Sequence, residues 1–398
     1  MIRYRDSRGN VCAFYDSTLL FPRDTLFNAA EGLGVIVLNM NNPANPRQTA
    51  TLVTPAMQSP HESLLLNPKR GLLGAVLGSP YTNIGIFELY DVRSNCRQPR
   101  LLSSTDAGLL GHESGFAPDG KTFYSSSSEG DTLVAIDVSN PTRPKRIFEQ
   151  SGVSYHGLRL SGDGRTMYAA DLGTDDGEGP TDGGLRIIDV SEIQDRKRDP
   201  SVRIISTLAW PELSIPQVDE PFTRNGRHYL LEVDEYANYG PDAGPTQAGA
   251  EVGAARIINI EDPRAPRVVS DLRLAVHQPG ARQGEQQLDP GAVIPVQGYA
   301  AHYCSVPYRR DPRIVACSMI LSGLRIFDIS DLRNPVEVGY FNEPVMQGAS
   351  ELNPTAYGAF AMSQPAWDVK RGQVWYSDGN SGLYVVKLVN GLADLLSR

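Results

Sequence analysis

The sequence predicts an all-β fold, a seven-bladed β-propeller in which each blade is a four-stranded antiparallel sheet. The first observation is a phrase that occurs seven times: a short apolar strand, an acidic or polar residue and, in most copies, a turn that contains proline. The second is that other apolar runs flank each copy and are separated from it by Gly, Pro, Asn and Asp. One four-stranded sheet cannot bury its own faces, and units that repeat at about this length are typical of blades arranged radially.

The clearest copy of the phrase runs from Thr132 to Pro144 and reads TLVAIDVSNPTRP. A β-sandwich is the alternative architecture, but sandwiches do not usually repeat one strand phrase so many times. We therefore expect a single domain with one continuous core in each blade. The predicted blades span residues 1–57, 58–108, 109–151, 152–211, 212–292, 293–346 and 347–398. The copies of the phrase begin at Gly34, Gly85, Thr132, Gly184, Ala254, Gly323 and Gly382.

The strands TLVAIDVSNP and GLRIFDIS resemble those of the LVIVD-repeat proteins, a family that takes its name from this strand. The resemblance covers nearly the whole chain. It implies a propeller architecture but says little about activity, because that family is mostly uncharacterised and a fold alone does not imply an activity.

The end of the chain suggests how the ring closes. Only the short segment Leu392–Arg398 follows the last copy of the phrase, which is too little for a comfortable fourth strand. We therefore expect a strand from the N-terminal region to complete the last blade. Without this closure the first and last blades would expose sheet edges.

Charge and hydropathy exclude several classes of partner. The formal net charge is −9 and the pI is about 5.3, which argues against nucleic acid or an anionic membrane as a partner. No run of apolar residues is long enough for a transmembrane helix. The first residues are too polar for a signal peptide, so the signal of an exported protein would lie outside this chain. The oligomeric state stays open.

Two of the four cysteines lie on either side of a predicted turn. Cys304 and Cys317 fall opposite each other on adjacent antiparallel strands, where a disulfide is geometrically possible. Cys12 and Cys96 could form a second bridge or remain free. The possible disulfides favour an extracellular or periplasmic protein over a cytoplasmic one, although four reduced, buried thiols would also fit the sequence.

Four of the six histidines occupy the same place in the repeat, near the start of the first strand of a blade. His112 and His156 each lie eight residues before the glycine that closes the next turn. His61 and His302 lie ten residues before the corresponding turn residue. In two other units a glutamine takes this place, namely Gln217 and Gln364.

The first strand of a propeller blade lines the central channel, so these side chains are expected to ring one mouth of that channel. Neutral imidazole is a good ligand for copper, iron and zinc. We therefore predict a transition-metal site whose ligands are His61, His112, His156 and His302. His228 falls on a second strand and His277 on an outer strand, so both are left out of the site.

Two glutamates directly follow ligand candidates: Glu62 follows His61, and Glu113 follows His112. Neighbouring side chains of an extended strand point in opposite directions, so each glutamate could orient a histidine on an adjacent blade or transfer a proton. The candidate catalytic residues are His112, His156, Glu62 and Glu113. The candidate substrate contacts are Gln217, Gln364, Tyr303 and Trp367, although core packing is the more common role for the two aromatic residues.

These residues predict an enzyme that acts on a small organic molecule at a metal-binding mouth of the channel. Redox, lyase and hydrolytic chemistry all fit, and a metal-dependent oxidoreductase or lyase is the specific expectation. The sequence contains neither a phosphate-binding loop nor a dinucleotide motif, so no nucleotide cofactor is expected. The alternative is a non-catalytic binding or scaffold propeller whose polar channel is structural.

Overall fold

The structure is a computed structural model. It describes residues 1–16, 34–58, 60, 62–77, 85–106, 111–127, 130–175, 180–181, 183–210, 214–237, 255–275, 280–281, 284, 300–342, 360–379 and 381–397. Among these residues, no helix has the length and apolar character needed to cross a membrane.

The chain is a seven-bladed β-propeller, as the repeats predict. Within the described residues six blades have four strands and the last has three, and the strand order in each blade follows the order of the chain. Every blade is therefore an antiparallel meander. Internal contacts divide the chain into two compact units, Met1–Asp171 with Arg186–Ile205 and Leu172–Leu185 with Ser206–Arg398.

The first unit holds the first three blades and most of the fourth. Its two short helices are α1 (Pro55–Gln58) and α2 (Ser191–Gln194). The strands of these four blades are β1 (Ile2–Arg5), β2 (Val11–Asp16), β3 (Val35–Asn39) and β4 (Arg47–Leu52); β5 (Leu65–Asn67), β6 (Leu72–Val76), β7 (Ile86–Asp91) and β8 (Arg100–Asp106); β9 (Ser114–Phe116), β10 (Thr122–Ser127), β11 (Thr132–Asp137) and β12 (Lys145–Ser151); β13 (Tyr155–Leu160), β14 (Thr166–Asp171), β17 (Gly184–Asp189) and β18 (Arg203–Ala209).

The second unit holds the last three blades and a separate two-stranded ribbon. Its 3-10 helices are Ile320–Ser322, Val369–Arg371 and Leu392–Leu396. The ribbon and the blades comprise β15 (Thr174–Asp175) and β16 (Pro180–Thr181); β19 (Ser214–Arg224), β20 (Arg227–Ala237), β21 (Ala255–Asn259) and β22 (Arg267–Leu272); β23 (Tyr303–Ser305), β24 (Ile314–Ser318), β25 (Leu324–Asp328) and β26 (Val336–Phe341); β27 (Ala366–Asp368), β28 (Gln373–Asp378) and β29 (Gly382–Lys387).

The repeated phrase forms the third strand of every blade. In the first six blades its last polar residue accepts a hydrogen bond from the backbone N–H two residues later, at 2.7 to 3.1 Å. This local bond starts the turn that returns the chain as the fourth strand. The six acceptors are Asn39, Asp91, Asp137, Asp189, Asn259 and Asp328.

The last blade departs from this pattern, because Lys387 takes the place of the Asn or Asp acceptor. A lysine side chain cannot accept the turn-starting hydrogen bond, and the 3-10 helix Leu392–Leu396 follows β29 where a fourth strand would begin. The described N-terminal strands lie in the first blade, where β1 pairs with β2 and β2 pairs with β3. Closure of the last blade by a strand from the N-terminal region stays a prediction. The Asp6 carboxylate holds this first hairpin by accepting three hydrogen bonds from Arg8 and Asn10.

The hydrophobic cores lie between blades, so the expectation of one core within each blade is wrong. One cluster joins the first two blades and includes Phe14 and Leu73. Another joins the fifth and sixth blades and includes Leu231 and Val315. A sheet buries a face by packing it against another element, and here that element is the next blade.

Both possible disulfides are present. Cys304 and Cys317 are directly opposite each other on β23 and β24 and are bonded, as predicted. Cys12 on β2 is bonded to Cys96, which lies in the turn after β7, so this bond joins the first two blades. The structure thus decides the pairing that the sequence leaves open.

Candidate metal centre

His112 and His156 are held by one buried hydroxyl group. His112 and Glu113 directly precede β9, and their backbone pairs with Ser126 of β10: His112 N donates to Ser126 O at 2.7 Å, and Ser126 N donates to Glu113 O at 3.0 Å. The Ser126 hydroxyl lies 2.9 Å from Glu113 O and 3.2 Å from His156 O, which places it between two carbonyl acceptors on neighbouring blades. Ser126 therefore fixes the two histidine-bearing segments relative to each other.

Glu62 reaches the same place from the second blade. Its backbone forms an isolated parallel bridge with Glu113. The next residue, Ser63, is fully buried, and its hydroxyl contacts the carbonyl groups of Pro60 and Val76 at 2.6 Å. The segment that carries Glu62 is therefore anchored to its own blade on one side and to the third blade on the other.

The side chains of Glu62, His112 and His156 converge on one point. The two Nε2 atoms lie 2.9 Å apart, and Oε2 of Glu62 lies 3.2 Å from Nε2 of His112 and 3.7 Å from Nε2 of His156. The imidazole rings meet edge to face with centroids 4.6 Å apart. Both histidines are buried, with 8% and 4% of their surface exposed.

These distances fit a metal ion. The circle through the three atoms has a radius of about 1.9 Å, so a single ion at the usual distance of about 2.0–2.1 Å could contact all three. Two imidazole nitrogens and one carboxylate oxygen suit zinc, copper or iron. Among the described residues, Glu62, His112 and His156 form a group whose ligand atoms lie close enough together to share an ion.

Glu113 points away from this group and pairs with an arginine. Its Oε1 accepts a hydrogen bond from Nη1 of Arg159 at 2.6 Å, whereas Oε2 has no hydrogen-bond partner among the described residues. Complete burial raises the pKa of Glu113 to about 8, although the Arg159 guanidinium lowers it, and the charge of Glu62 adds to the increase. The glutamate that faces the histidines is therefore Glu62, and Glu113 forms a buried hydrogen bond with Arg159 instead.

His302 lies in the second unit, where its surroundings differ. Its Nδ1 is 2.5 Å from the carbonyl oxygen of Met362, so Nδ1 carries the proton that this acceptor requires. Its Nε2 is 3.7 Å from Oε1 of Glu235. His61 lies outside the described residues, so a ring of four histidines stays a prediction.

Most of the residues predicted to contact a substrate form hydrogen bonds with other residues of the second unit. The amide of Gln217 donates to the hydroxyl of Tyr303 at 3.1 Å, and both side chains are buried. The indole N–H of Trp367 donates to Ser305 Oγ at 3.0 Å. Gln364 is half-buried. Their role in binding a substrate stays a prediction.

A second set of charges crosses the fifth blade; its members are buried except for Asp271, which is exposed. Asp219, Glu232, Arg256 and Asp271 are direct cross-strand neighbours on β19 to β22. Nη1 of Arg256 donates to Glu232 at 2.9 Å and also to Asp234. Burial, together with the charge of Asp234, holds the pKa of Glu232 well above its ordinary value despite Arg256. Glu232 and Asp234 thus form a buried ion cluster with Arg256.

Sequence reasoning missed Ser126, Arg159 and Glu235. Arg159 could have been found, because it is the one charged residue in the otherwise uncharged strand YHGLRL. Ser126 lies in a run of four serines, Ser125 to Ser128, and nothing in that run distinguishes it. Glu235 could not have been found from the sequence, because only the fold places β20 beside His302.

Fold and residues together define a class: a seven-bladed β-propeller that groups two imidazoles and a carboxylate near the first strands of three successive blades. The chain carries LVIVD repeats, since the family model for the LVIVD repeat matches residues 128–149 and 321–343. Each match spans the third strand of a blade and the turn that follows it. No curated protein matches the chain with significance.

Several solved structures share the fold at low sequence identity. A periplasmic gluconolactonase from Pseudomonas aeruginosa is 14% identical, with 90% of this chain and 91% of that chain covered and a TM-score of 0.58. A candidate 6-phosphogluconolactonase from Bacteroides uniformis is 12% identical, with 95% of each chain covered and a TM-score of 0.58. The β-propeller domain of Cps50 (Swd1) from Myceliophteria thermophila is 11% identical, with 83% of each chain covered and a TM-score of 0.50. At such identities the likeness shows the fold alone.

Proposed function

We propose that this protein is a hydrolase of small organic molecules whose reaction centre is a transition-metal ion bound by Glu62, His112 and His156. The observation that carries the proposal is the triangle of 2.9, 3.2 and 3.7 Å formed by their ligand atoms. Zinc is the first candidate, because two histidines and a glutamate are a ligand set of catalytic zinc sites.

Three protein ligands leave a position of a four-coordinate ion open for water or substrate. A bound zinc ion would lower the pKa of such a water molecule to about 7 and so supply a nucleophile at neutral pH. The protein itself would determine where the ion binds. Ser126 and Ser63 fix the segments that carry the ligands, and burial limits competing water.

Hydrolysis is supported better than the other two reaction classes. A redox-inactive ion with an open position suffices for it. One protein of the same fold is described as a gluconolactonase and another as a candidate 6-phosphogluconolactonase, which is compatible with a cyclic ester as substrate. No feature of the described residues favours oxidoreductase or lyase chemistry in particular.

The two disulfides bear on where the protein acts. Disulfides persist in oxidising compartments and are rare in the cytosol. Because both cysteine pairs are bonded, we infer an extracellular or periplasmic location.

Metal content and activity test the proposal together. The purified protein should contain about one equivalent of metal and hydrolyse a lactone such as δ-gluconolactone or an activated ester. His112→Ala and Glu62→Gln should lose the metal and at least about 100-fold in activity. His228→Ala is the matched control, since His228 is exposed and lies on β20 in the second unit. A metal-free protein, or a His112→Ala variant with full activity, would overturn the proposal.

The second candidate is a non-catalytic binding propeller, and the same 2.9 Å contact is the observation that favours it. One neutral imidazole can donate to the other through Nε2, which would join two blades without any metal. In that case the protein should purify without metal, and chelators should leave its melting temperature unchanged.

A further inference from the structure

A cleft rich in arginine lies in the second unit, and its lining includes none of the residues of the candidate metal centre. It has a volume of about 790 Å³ and lies between the β19–β22 blade and the turn after β25. Four arginines line it, together with one carboxylate, Asp331. The whole protein has a formal net charge of −9, so this cleft gathers positive charge on an acidic molecule. The four arginines are Arg224, Arg227, Arg267 and Arg333.

Two of these arginines are held directly opposite each other. Arg224 and Arg227 are cross-strand partners at the tip of the β19–β20 hairpin. Asn225 and Gly226 form the turn between them, with φ of 51° and 77°, as a tight hairpin turn requires. Like charges directly opposite each other destabilise a strand pair, and a bound anion would reverse that effect.

The hairpin tip is fixed to the next blade, so the cleft is formed in advance. Thr223 N donates to Arg309 O at 2.7 Å, and Asn225 N donates to Asp311 at 2.7 Å. The Arg224 guanidinium donates to Ser330 O at 2.7 Å. A preformed site loses less conformational entropy when it binds a ligand.

The acidic groups around the cleft are already engaged. Asp331 accepts hydrogen bonds from the backbone N–H of Arg333 at 2.9 Å and from the Asn334 amide at 2.8 Å. Glu261 accepts from the backbone N–H of His228 at 3.0 Å. Within the part of the chain that the structure describes, the guanidinium groups of Arg227, Arg267 and Arg333 form no hydrogen bond or ion pair. Their donors point to a ligand with several acceptor oxygens.

The other residues that line the cleft indicate that its ligand also has apolar surface. Tyr229, Asn259 and Arg267 form one cross-strand row on β20, β21 and β22. Val268 and Leu332 add apolar surface beside this row. The lining therefore suits a molecule that combines anionic groups with a carbon skeleton, and its volume lies within the range of small-molecule sites.

We propose that this cleft binds a small organic polyanion, a molecule with two or more phosphate or carboxylate groups. Arg224 and Arg227 receive one anionic group, and Arg267 and Arg333 receive the other. The cleft shares no lining residue with the proposed catalytic site, and the binding proposed for it requires no metal.

Calorimetric titration of the full-length protein tests the proposal, with pyrophosphate and citrate as probes of the two anion types. At least one of them should bind with one equivalent per chain. Arg227→Gln and Arg333→Gln should each weaken binding about tenfold, and the double variant about 100-fold, because each removes one charge-assisted contact. Arg143→Gln is the matched control: it removes the same charge from an exposed turn in the third blade. His112→Ala should bind the probe as the unmodified protein does.

Three results would overturn the proposal: neither probe binds, binding survives the double variant, or Arg143→Gln weakens it as much as Arg227→Gln does. Melting temperatures of all variants, measured in parallel, ensure that folded proteins are compared. Loss of binding in His112→Ala would also count against the proposal, because it would place the probe at the metal centre.

Discussion

Nε2 of His112 and Nε2 of His156 lie 2.9 Å apart, and both face the same carboxylate oxygen of Glu62. Only one of the two nitrogens can carry a proton in this contact if both rings are neutral, because the other must offer its lone pair. A metal ion can take the place of that single shared proton. The three side chains are thus arranged so that either a proton or a metal ion binds between them.

The first prediction concerns stability. Zinc at 100 times its dissociation constant should stabilise the chelator-treated protein by about 2.7 kcal/mol, because it binds the folded chain only. His156→Ala should abolish this stabilisation, and His228→Ala should keep it. Thermal unfolding with and without zinc measures the effect. Equal stabilisation of the His156→Ala variant would show that zinc binds elsewhere.

The second prediction concerns the hydroxyl group that joins the two histidine segments. Ser126→Ala should cost about 1–2 kcal/mol, since it leaves buried carbonyl acceptors on Glu113 and His156 without this donor. It should also weaken metal binding about tenfold, because the ligands lose their support.

Ser318→Ala provides the control for that variant. Ser318 is also fully buried, and its hydroxyl donates to Ser363 O at 2.6 Å in the other unit. It should lose similar stability and keep its metal affinity. If both serine variants bind metal equally well, Ser126 does not position the ligands.

The third prediction follows from the buried charges of the fifth blade. The pKa of Glu232 is raised in the folded state by burial first and by Asp234 next. Its contribution to stability is therefore full below its unfolded pKa, near 4.3, and is lost as pH rises through the folded pKa. The groups that face it are Asp219 on β19, Asp234 on β20 and Arg256 on β21, with Asp271 beyond Arg256 on β22.

Glu232→Gln should accordingly flatten the decline of stability with rising pH, measured by urea unfolding between about pH 4 and pH 9. Arg256→Met should instead destabilise the protein by about 3–5 kcal/mol at neutral pH, because it leaves buried carboxylates without their cation. A Glu232→Gln variant with an unchanged pH profile would contradict this assignment.

The fourth prediction compares the two disulfides. Their cysteines are 84 and 13 residues apart. In the chain-entropy account, replacing both Cys12 and Cys96 with Ala should cost about 4.5 kcal/mol, and replacing Cys304 and Cys317 about 3 kcal/mol. Chemical denaturation of the two double variants measures the order, and a larger loss for the shorter loop would contradict it.

The repeated strand made it possible to predict the fold from the sequence. Phrases such as Thr132–Asp137 carry both the apolar pattern of a strand and the Asp or Asn that starts the next turn, so local signals and the fold agree. The pairing of Cys304 with Cys317 was readable for the same reason, because both lie on one hairpin. Where the local signal changes, as at Lys387, the regular fourth strand is also missing from the described residues.

The site was only partly readable. Matching offsets in the repeat pointed to His112 and His156, whose imidazoles the structure brings together. The sequence could not tell which glutamate faces them, because that depends on how neighbouring blades are staggered. Glu62 reaches the histidines from the adjacent blade, whereas Glu113, next to His112 in the chain, points the other way toward Arg159.

The bond between Cys12 and Cys96 has a consequence for biosynthesis. Cys12 leaves the ribosome long before its partner, and at typical rates of about 5–20 residues per second the chain needs several seconds to supply it. Through that interval the thiol of the first blade has no correct partner, even after the last of the blade's own strands, β4, has been synthesised. A cell that makes this protein must therefore deliver the first two blades to the oxidant together, or hold the first thiol reduced until the second one arrives.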